Sequence, residues 1–444
     1  MNKYIKFFAI IFTVASLLFL GCEDKVIRTE KYMAYVPKYI PYQDLKKTVE
    51  IQQTTLVGQL KNPGKIYVKG NYLFINERYE GIHIYDNSNT SSPLHICFIS
   101  ILGNVDMAVK GDILYADNAI DLISFDISNM EDIKEIARLK KIFEYTVPVP
   151  EAVDAAIPFA PIDTTLGIIV GWDLEKFEQT TEEKYNGNIG FFAKTDDEEE
   201  IFYDNSTNQT TVPTNNPTRE TNSNGVGGSM ARFMLYSNIL YVLRDNYMQV
   251  VNIEDGQLEK GSVVNMNFDN AETLFLNGNN LFVGTQNGME IYSLQNPLNP
   301  SYLSRISHIR SCDPVVVEGN IAYSTLRAGT SCGGTINQLD VIDISDINSP
   351  KLLTSFGMTE PFGLGIDNHI LFVCDGNSGL KIYDATDYMH IDQHLIKNFP
   401  EINAFDVIPL SNVLLMIGSD GFYQYDYSDL QDIKLLSKIE VVRK

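Results

Sequence analysis

Seven segments of this 444-residue chain repeat one pattern: a short apolar run, an acid or a polar stand-in, then a Ser/Asn/Asp turn. They read GIHIYDNSN (81–89), DLISFDISN (121–129), YMQVVNIED (247–255), GMEIYSLQN (288–296), QLDVIDISD (338–346), GLKIYDATD (379–387) and GFYQYDYSD (421–429). The aligned polar positions are Asp86, Asp126, Asn252, Ser293, Asp343, Asp384 and Asp426. Their spacings are 40, 126, 41, 50, 41 and 42 residues. A period near 41, broken twice by insertions, is a structural repeat.

Each unit holds four short runs rich in Val, Ile, Tyr and Phe between Gly/Asn/Asp turns, and helical periodicity is absent. A four-stranded sheet that is apolar on both faces is not stable alone. Arranged radially, such sheets cover one another and leave only short outer edges. The expected fold is therefore all-β: a seven-bladed β-propeller over 54–444, with an inserted loop at 141–230. TTLVGQL (54–60) and IKLLSKIEV (433–441) both read as outer strands, so an N-terminal strand is expected to help close the ring.

Residues 1–21 are not expected to belong to the fold. Lys3 and Lys6 precede the apolar run FFAIIFTVASLLFLG (7–21), which is short for a membrane span and typical of a secretory signal. FLGC resembles a bacterial lipobox, which implies diacylation at Cys22 and removal of 1–21 as a type II signal peptide. Glu23 and Asp24 resemble the acidic export tag of some surface lipoproteins. The lipid's acyl chains suffice for stable anchoring. Residues 22–53, charged and Tyr-rich, read as a lipidated tether. The expected address is the outer membrane, on its periplasmic or cell-surface side.

The formal charge is −23, from 57 acids and 34 bases. Phosphate backbones repel such a chain, so nucleic acid is not an expected partner. The remaining cysteines are Cys97, Cys312, Cys332 and Cys374. Cys312 and Cys332 fall at one end of the fifth blade. In an oxidising compartment they are expected to pair, worth roughly 3 kcal/mol in the chain-entropy picture; the alternative is two free buried thiols. Cys97 and Cys374 fall in different blades and read as buried, unpaired apolar groups.

In a propeller, the segment entering each blade and the turn between its second and third strands open on the same face. The insertions at 141–230 and 325–337 both belong to that face, where function tends to sit. Trp172 in the first insertion is either a packing anchor or a ligand platform. Asp106 and Asp406 occupy equivalent positions at the start of inner strands, Arg232 aligns with Asp106, and Glu272 and Asp313 lie one place earlier in their blades. Asp117, Asp245, Asp375 and Asp420 fall in second-to-third-strand turns, with Arg327 beside the second insertion. Together they make a candidate electronegative mouth; alternatively the acids only build turns. No G-x-S-x-G, Walker or dinucleotide fingerprint occurs. HIDQH (390–394) lacks the glutamate of a zincin helix. No catalytic residue, cofactor or metal is assigned.

GIHIYDNSN, DLISFDISN and LDVIDISDINSP resemble the LVIVD repeat found in predicted β-propellers of bacterial secreted and surface proteins. GNVDMAVKGDILYAD (103–117), GVGGSMARF (225–233) and 312–345 resemble a lipoprotein subgroup of that family. The resemblance implies the fold and no particular activity. The leading expectation is a binding or scaffold module for a protein or glycan. The alternative is a carbohydrate-active or other hydrolytic enzyme with carboxylates at the propeller mouth.

Overall fold

The computed structural model describes residues 25–53, 59–143, 156–184, 225–244, 246–267, 270–307, 314–329 and 335–442. The signal segment, Cys22, Asp245, Cys312, Asp313 and Cys332 lie outside them. The chain divides into two compact units, one of Met1–Tyr39 with Pro148–Asn215 and one of Ile40–Val147 with Asn216–Lys444.

The described part of the smaller unit centres on a two-stranded sheet of Lys25–Ile40 and Ile168–Lys184. The second strand is one continuous element whose hydrogen-bonding partner is the remote N-terminal strand. Lys31–Glu178 (2.7 Å) and Lys38–Asp173 (2.6 Å) ion pairs cross the sheet. Trp172 meets Phe159 edge-on at 4.7 Å, and Phe159 meets Tyr35 at 5.0 Å. Trp172 thus packs within this unit.

The larger unit is a ring of seven antiparallel blades, each carrying four strands in chain order. From the axis outward, the first blade runs Pro63–Lys69, Tyr72–Glu77, Gly81–Asp86 and Leu94–Ser100. The seventh runs Ala404–Leu410, Val413–Gly418, Gly421–Asp426 and Lys434–Glu440. Within 22–53, expected as a tether, Tyr42–Thr48 is a 3-10 helix and Glu50–Gln53 adds a strand to the outer edge of the first blade.

The repeated acid has a local job. Oδ1 of Asp86, Asp126, Asp343, Asp384 and Asp426 accepts the amide two residues on, at 2.8–2.9 Å. A second such turn follows three residues later, on Asn89, Asn129, Asp346, Asp387 and Asp429. These Asx turns reverse the chain between the third and fourth strands. Where the acid is lost, Ser293 Oγ accepts the Gln295 amide at 3.3 Å.

Those turns also receive the neighbouring blade. Ser124 Oγ donates to the Gly256 carbonyl, Ser262 to Leu298, Ser304 to Ile347, and Ser437 to Thr90, at 2.5–2.7 Å. The last bond joins the seventh blade to the first, so the closing seam repeats an internal one. It is reinforced by a parallel bridge between Leu60 and Val441 and by an apolar cluster that includes Ile66, Leu73, Ile75, Ile408, Leu415 and Phe422. Residues 54–58 lie outside the description; Leu60 is the N-terminal contributor seen at closure. Cys97 and Cys374 are buried free thiols. No described helix is long and apolar enough to cross a membrane.

Candidate functional site

One face of the ring, here the upper face, carries the turns between second and third strands together with the segments entering each blade. Backbone bonds tie the two sets: Arg78 N to Asn62 O (3.0 Å), Ile142 N to Ile120 O (2.9 Å), Phe362 N to Cys374 O (2.7 Å) and Ser419 N to Asn403 O (3.0 Å). The end of the first insertion does not stay on the rim. Residues 225–232 (GVGGSMAR) run along the ring's inner strands. Val226–Gly227 pairs antiparallel with Tyr67 and Val68 on the innermost strand of the first blade. Gly225 N donates to Val109 O of the second blade, Leu274 N of the fourth to Ala231 O, and Leu364 N of the sixth to Ser229 Oγ. Ser229 N also donates to Asp406 Oδ1 of the seventh blade, and a segment that touches the inner strands of these five blades occupies the axis.

Asp106 and Asp406 clamp it. Asp406 Oδ1 accepts the Ser229 amide (3.2 Å), the Ser229 hydroxyl (3.1 Å) and its own neighbour Val407 N (2.9 Å). Asp106 Oδ2 accepts the amides of Arg232 and Phe233 and pairs with Lys65 Nζ at 2.6 Å. The two carboxylates are 3% and 2% exposed. Burial pushes the Asp406 carboxyl up to about 6, against the pull of Val407, Ser229, Met230 and Lys65. Burial likewise lowers Lys65, with Asp106 opposing it.

Glycine is required here by space. A Cβ at Gly228 would lie 1.9 Å from Asp406 Oδ2, one at Gly363 2.2 Å from its Oδ1, and one at Gly225 2.2 Å from the Tyr67 ring. GVGG before an inner strand is therefore a signal of close backbone approach. That signal was available in the sequence, though the segment reads there as the end of a surface loop.

The turn acids cap the entering segments. Asp117 accepts Val105 N (2.8 Å), Asp106 N (3.0 Å) and Asn104 Nδ2 (2.8 Å). Asp375, wholly buried, accepts Thr359 N and Glu360 N and pairs with Lys381 Nζ at 2.5 Å. Glu77 plays the same part for Lys61 and Asn62 in the first blade, a residue the repeat alignment missed. Asp420 accepts Tyr423 Oη and Lys438 Nζ. Glu272 Oε1 accepts Gln286 Nε2 at 3.1 Å.

Of the expected site residues, the structure thus brings Asp106, Asp406 and the Arg232 backbone together around the axial segment. Asp375 sits apart, and Glu272 and Arg327 belong to a second group. Burial lowers the Arg327 guanidinium, while Glu272 and Glu360 act to raise it. Phe362 and Phe405, beside this group, carried no sequence motif. Among the described residues no set of three His, Cys, Asp or Glu side chains is disposed to hold a metal ion.

No curated protein sequence matches the chain. Among solved structures, a protein from Lactobacillus plantarum is 12% identical over 86% of this chain and 97% of its own, with a TM-score of 0.51. Kluyveromyces lactis Hsv2 is 9% identical over 86% and 100%, with a TM-score of 0.47. The computationally designed Ika8 protein is 11% identical over 88% and 90%, with a TM-score of 0.48. Likeness at this identity concerns the fold alone. A family model for the LVIVD repeat matches residues 63–97 and 334–357, the core of the first blade and the outer half of the fifth. The chain thus carries the LVIVD repeat within a ring of seven blades, as an LVIVD-repeat β-propeller would.

Proposed function

We propose that this protein is a binding or scaffold module that engages a protein or glycan partner on the upper face of the ring. It is held at the outer membrane, on the periplasmic or cell-surface side, by lipid on Cys22. One observation carries the reading. The two carboxylates best placed for acid–base chemistry, Asp106 and Asp406, are buried and committed to the axial segment. Around them the upper face is a rim of turns and entering segments on a rigid ring, the usual setting for recognition. The hydrolytic alternative has one feature in its favour: a carboxyl raised to about 6 suits a general acid. Burial against Gly228 and Ser229 denies that carboxyl a substrate.

Photo-crosslinking in cells tests the reading. A crosslinker at exposed Tyr79 or Glu401 on the upper face is expected to trap a partner. The same group at exposed Asp112 on the opposite face is expected to trap none. Crosslinks confined to Asp112 would refute the proposal. So would hydrolytic activity that disappears in Asp406→Asn with the fold intact.

A further inference from the structure

Among the described residues, two lysine ion pairs have both side chains buried. Lys381–Asp375 lies within the sixth blade. Lys65–Asp106 spans two blades. Nζ of Lys65, on the innermost strand of the first blade, lies 2.6 Å from Oδ2 of Asp106, at the start of the second, and the side chains are 17% and 4% exposed. Pairs on the outer strands, such as Lys134–Asp132 and Lys434–Asp432, are more than half exposed. Lys65 falls where the first blade's ladder shifts register between Pro63 and Ile66. Such a bulge re-aims a side chain out of the strand pattern, and here the lysine reaches the next blade. The axial segment lies beside the pair: Val226–Gly227 pairs with Tyr67 and Val68.

The surroundings supply what a reaction between the two groups needs. Burial lowers the Lys65 ammonium; Asp106 opposes this, and the Arg232 charge adds to it. A desolvated lysine that sheds its proton is a nucleophile. On Asp106, Oδ2 accepts the amides of Arg232 and Phe233, the latter at 3.2 Å, and Oδ1 accepts Met107 N at 2.7 Å. Fixed amides aimed at one carboxyl oxygen stabilise the negative charge that grows there when a nucleophile adds to the carboxyl carbon. A third carboxyl, Asp117, is 3% exposed and accepts the amides of Val105 (2.8 Å) and of Asp106 itself (3.0 Å). It lies near enough to act on the charges of both Lys65 and Asp106. Burial pushes Asp117 up, against Arg244 and those amides, and the Asp106 charge adds to the rise. A carboxyl so placed can take a proton and give it back.

We propose that Lys65 and Asp106 condense to an amide that ties the first blade covalently to the second, with Asp117 carrying the proton. Within the pair a proton passes from Nζ to Oδ1, leaving an amine and a carboxylic acid. The Nζ lone pair adds to Cγ of Asp106, and the charge developing on Oδ2 is taken by the amides of Arg232 and Phe233. Asp117, as the carboxylate, removes one Nζ proton and delivers it to the Oδ1 hydroxyl. The Cγ–Oδ1 bond breaks, Oδ1 leaves as water, and the carbonyl re-forms at Oδ2. One amine and one acid give one amide and one water, with no oxidant or co-reactant. Such a condensation is uphill in bulk water. Here the two charges are already out of water, which raises the starting state. Fixed proximity adds an effective concentration of about 10⁵–10⁸ M. The amides that hold Oδ2 come from the end of the axial segment, so the bond forms only after that segment is seated.

The test is mass spectrometry of the full chain, folded and incubated, then denatured and digested with trypsin. The expected product is a branched peptide that joins residues 62–69, uncut after Lys65, to residues 79–110. It should be lighter by one water than its two arms combined. Lys65→Arg keeps the charge but has no condensing amine, and should give linear peptides only. Asp117→Asn should lower the yield of the branch about a hundredfold in protein that is still folded. If Asp117→Asn fails to fold, the wild type and Lys65→Arg still decide whether the bond exists. Wild-type protein that yields only linear peptides cut after Lys65, even after prolonged incubation, overturns the proposal. So does a water loss confined to a single linear peptide, which would mark a rearranged aspartate instead. A branch that forms undiminished in folded Asp117→Asn overturns the proton path through Asp117.

Discussion

Asp406 shows how one buried carboxylate fixes its neighbours and the protein's response to pH. Gly363→Ala forces a Cβ to within 2.2 Å of Asp406 Oδ1, and strain of this kind costs about 1–3 kcal/mol. The shortest contact is with the carboxylate, while Phe405 O also lies 2.9 Å from that Cβ, so in an Asp406→Ala background Gly363→Ala should cost clearly less, though not nothing. Urea unfolding of the four proteins in the cycle measures this, and purely additive costs would place the strain elsewhere. The Asp406 carboxyl, near 3.9 in an unfolded chain, is pushed up to about 6 by burial. Between about pH 4 and 6 the native state therefore holds a proton that the unfolded chain releases. The buried charge thus lowers stability above about pH 6, on the order of 3 kcal/mol, and this penalty disappears as pH falls toward 4. Asp406→Asn should gain most over the wild type at pH 7 and least at pH 4.5. His95 works in the opposite sense. Burial first, then the nearby His83, holds it at about 4, so its contribution to stability is lost as pH falls from about 6.5 to 4.

The element that defines the repeat is the turn after the third strand, and its chemistry was legible in the sequence. An apolar run followed by Asp-x-Ser-Asn/Asp specifies two successive Asx turns, and the structure contains them. The acids of these turns are held below the usual carboxylate range, first by the Ser or Thr hydroxyl two residues on and then by its amide. Stability from them should fade as pH drops through and below the ordinary carboxylate range. Asp343→Ala should lower the urea midpoint and Asp343→Asn should lower it less, since the amide oxygen still accepts; equal losses would mean that charge matters more than the turn. The same turns accept hydroxyls across the blade seams, which no local pattern announced. Ser304→Ala removes the bond to Ile347 O at a cost of about 1 kcal/mol. The axial segment was not legible for a related reason. Periodicity places repeated strands, but a stretch outside the period, such as GVGGSMAR, has no phase from which to infer what it touches. The acids of the upper face could be grouped by phase alone. Their partners, Ser229, Lys65 and the backbone amides, could not.

At the scale of the whole ring, the question is whether the seam between the seventh and first blades is weaker than the other six. Chain connectivity gives it no help, because each of these blades takes its four ring strands from its own end of the chain. Three features stand in for a covalent link. Leu60 and Val441 form a parallel bridge, with Val442 N donating to Leu60 O at 2.8 Å. Gln424 and Asn87 exchange side-chain hydrogen bonds of 2.7 and 2.9 Å across the seam. The axial segment bonds to inner strands on both sides, through Tyr67 and Asp406. If these make the closing seam equivalent to an internal one, Ser437→Ala, which removes the bond to Thr90 O, should cost as much as Ser304→Ala, about 1 kcal/mol. Leu60, fully buried at the seam, should cost about 2–5 kcal/mol as Leu60→Ala. The ring should still unfold in one transition, because loss of the seam exposes apolar faces of both blades. A negligible Ser437→Ala cost, or a separate early transition in Leu60→Ala, would instead mean that the ring opens at this seam before the rest of the molecule unfolds.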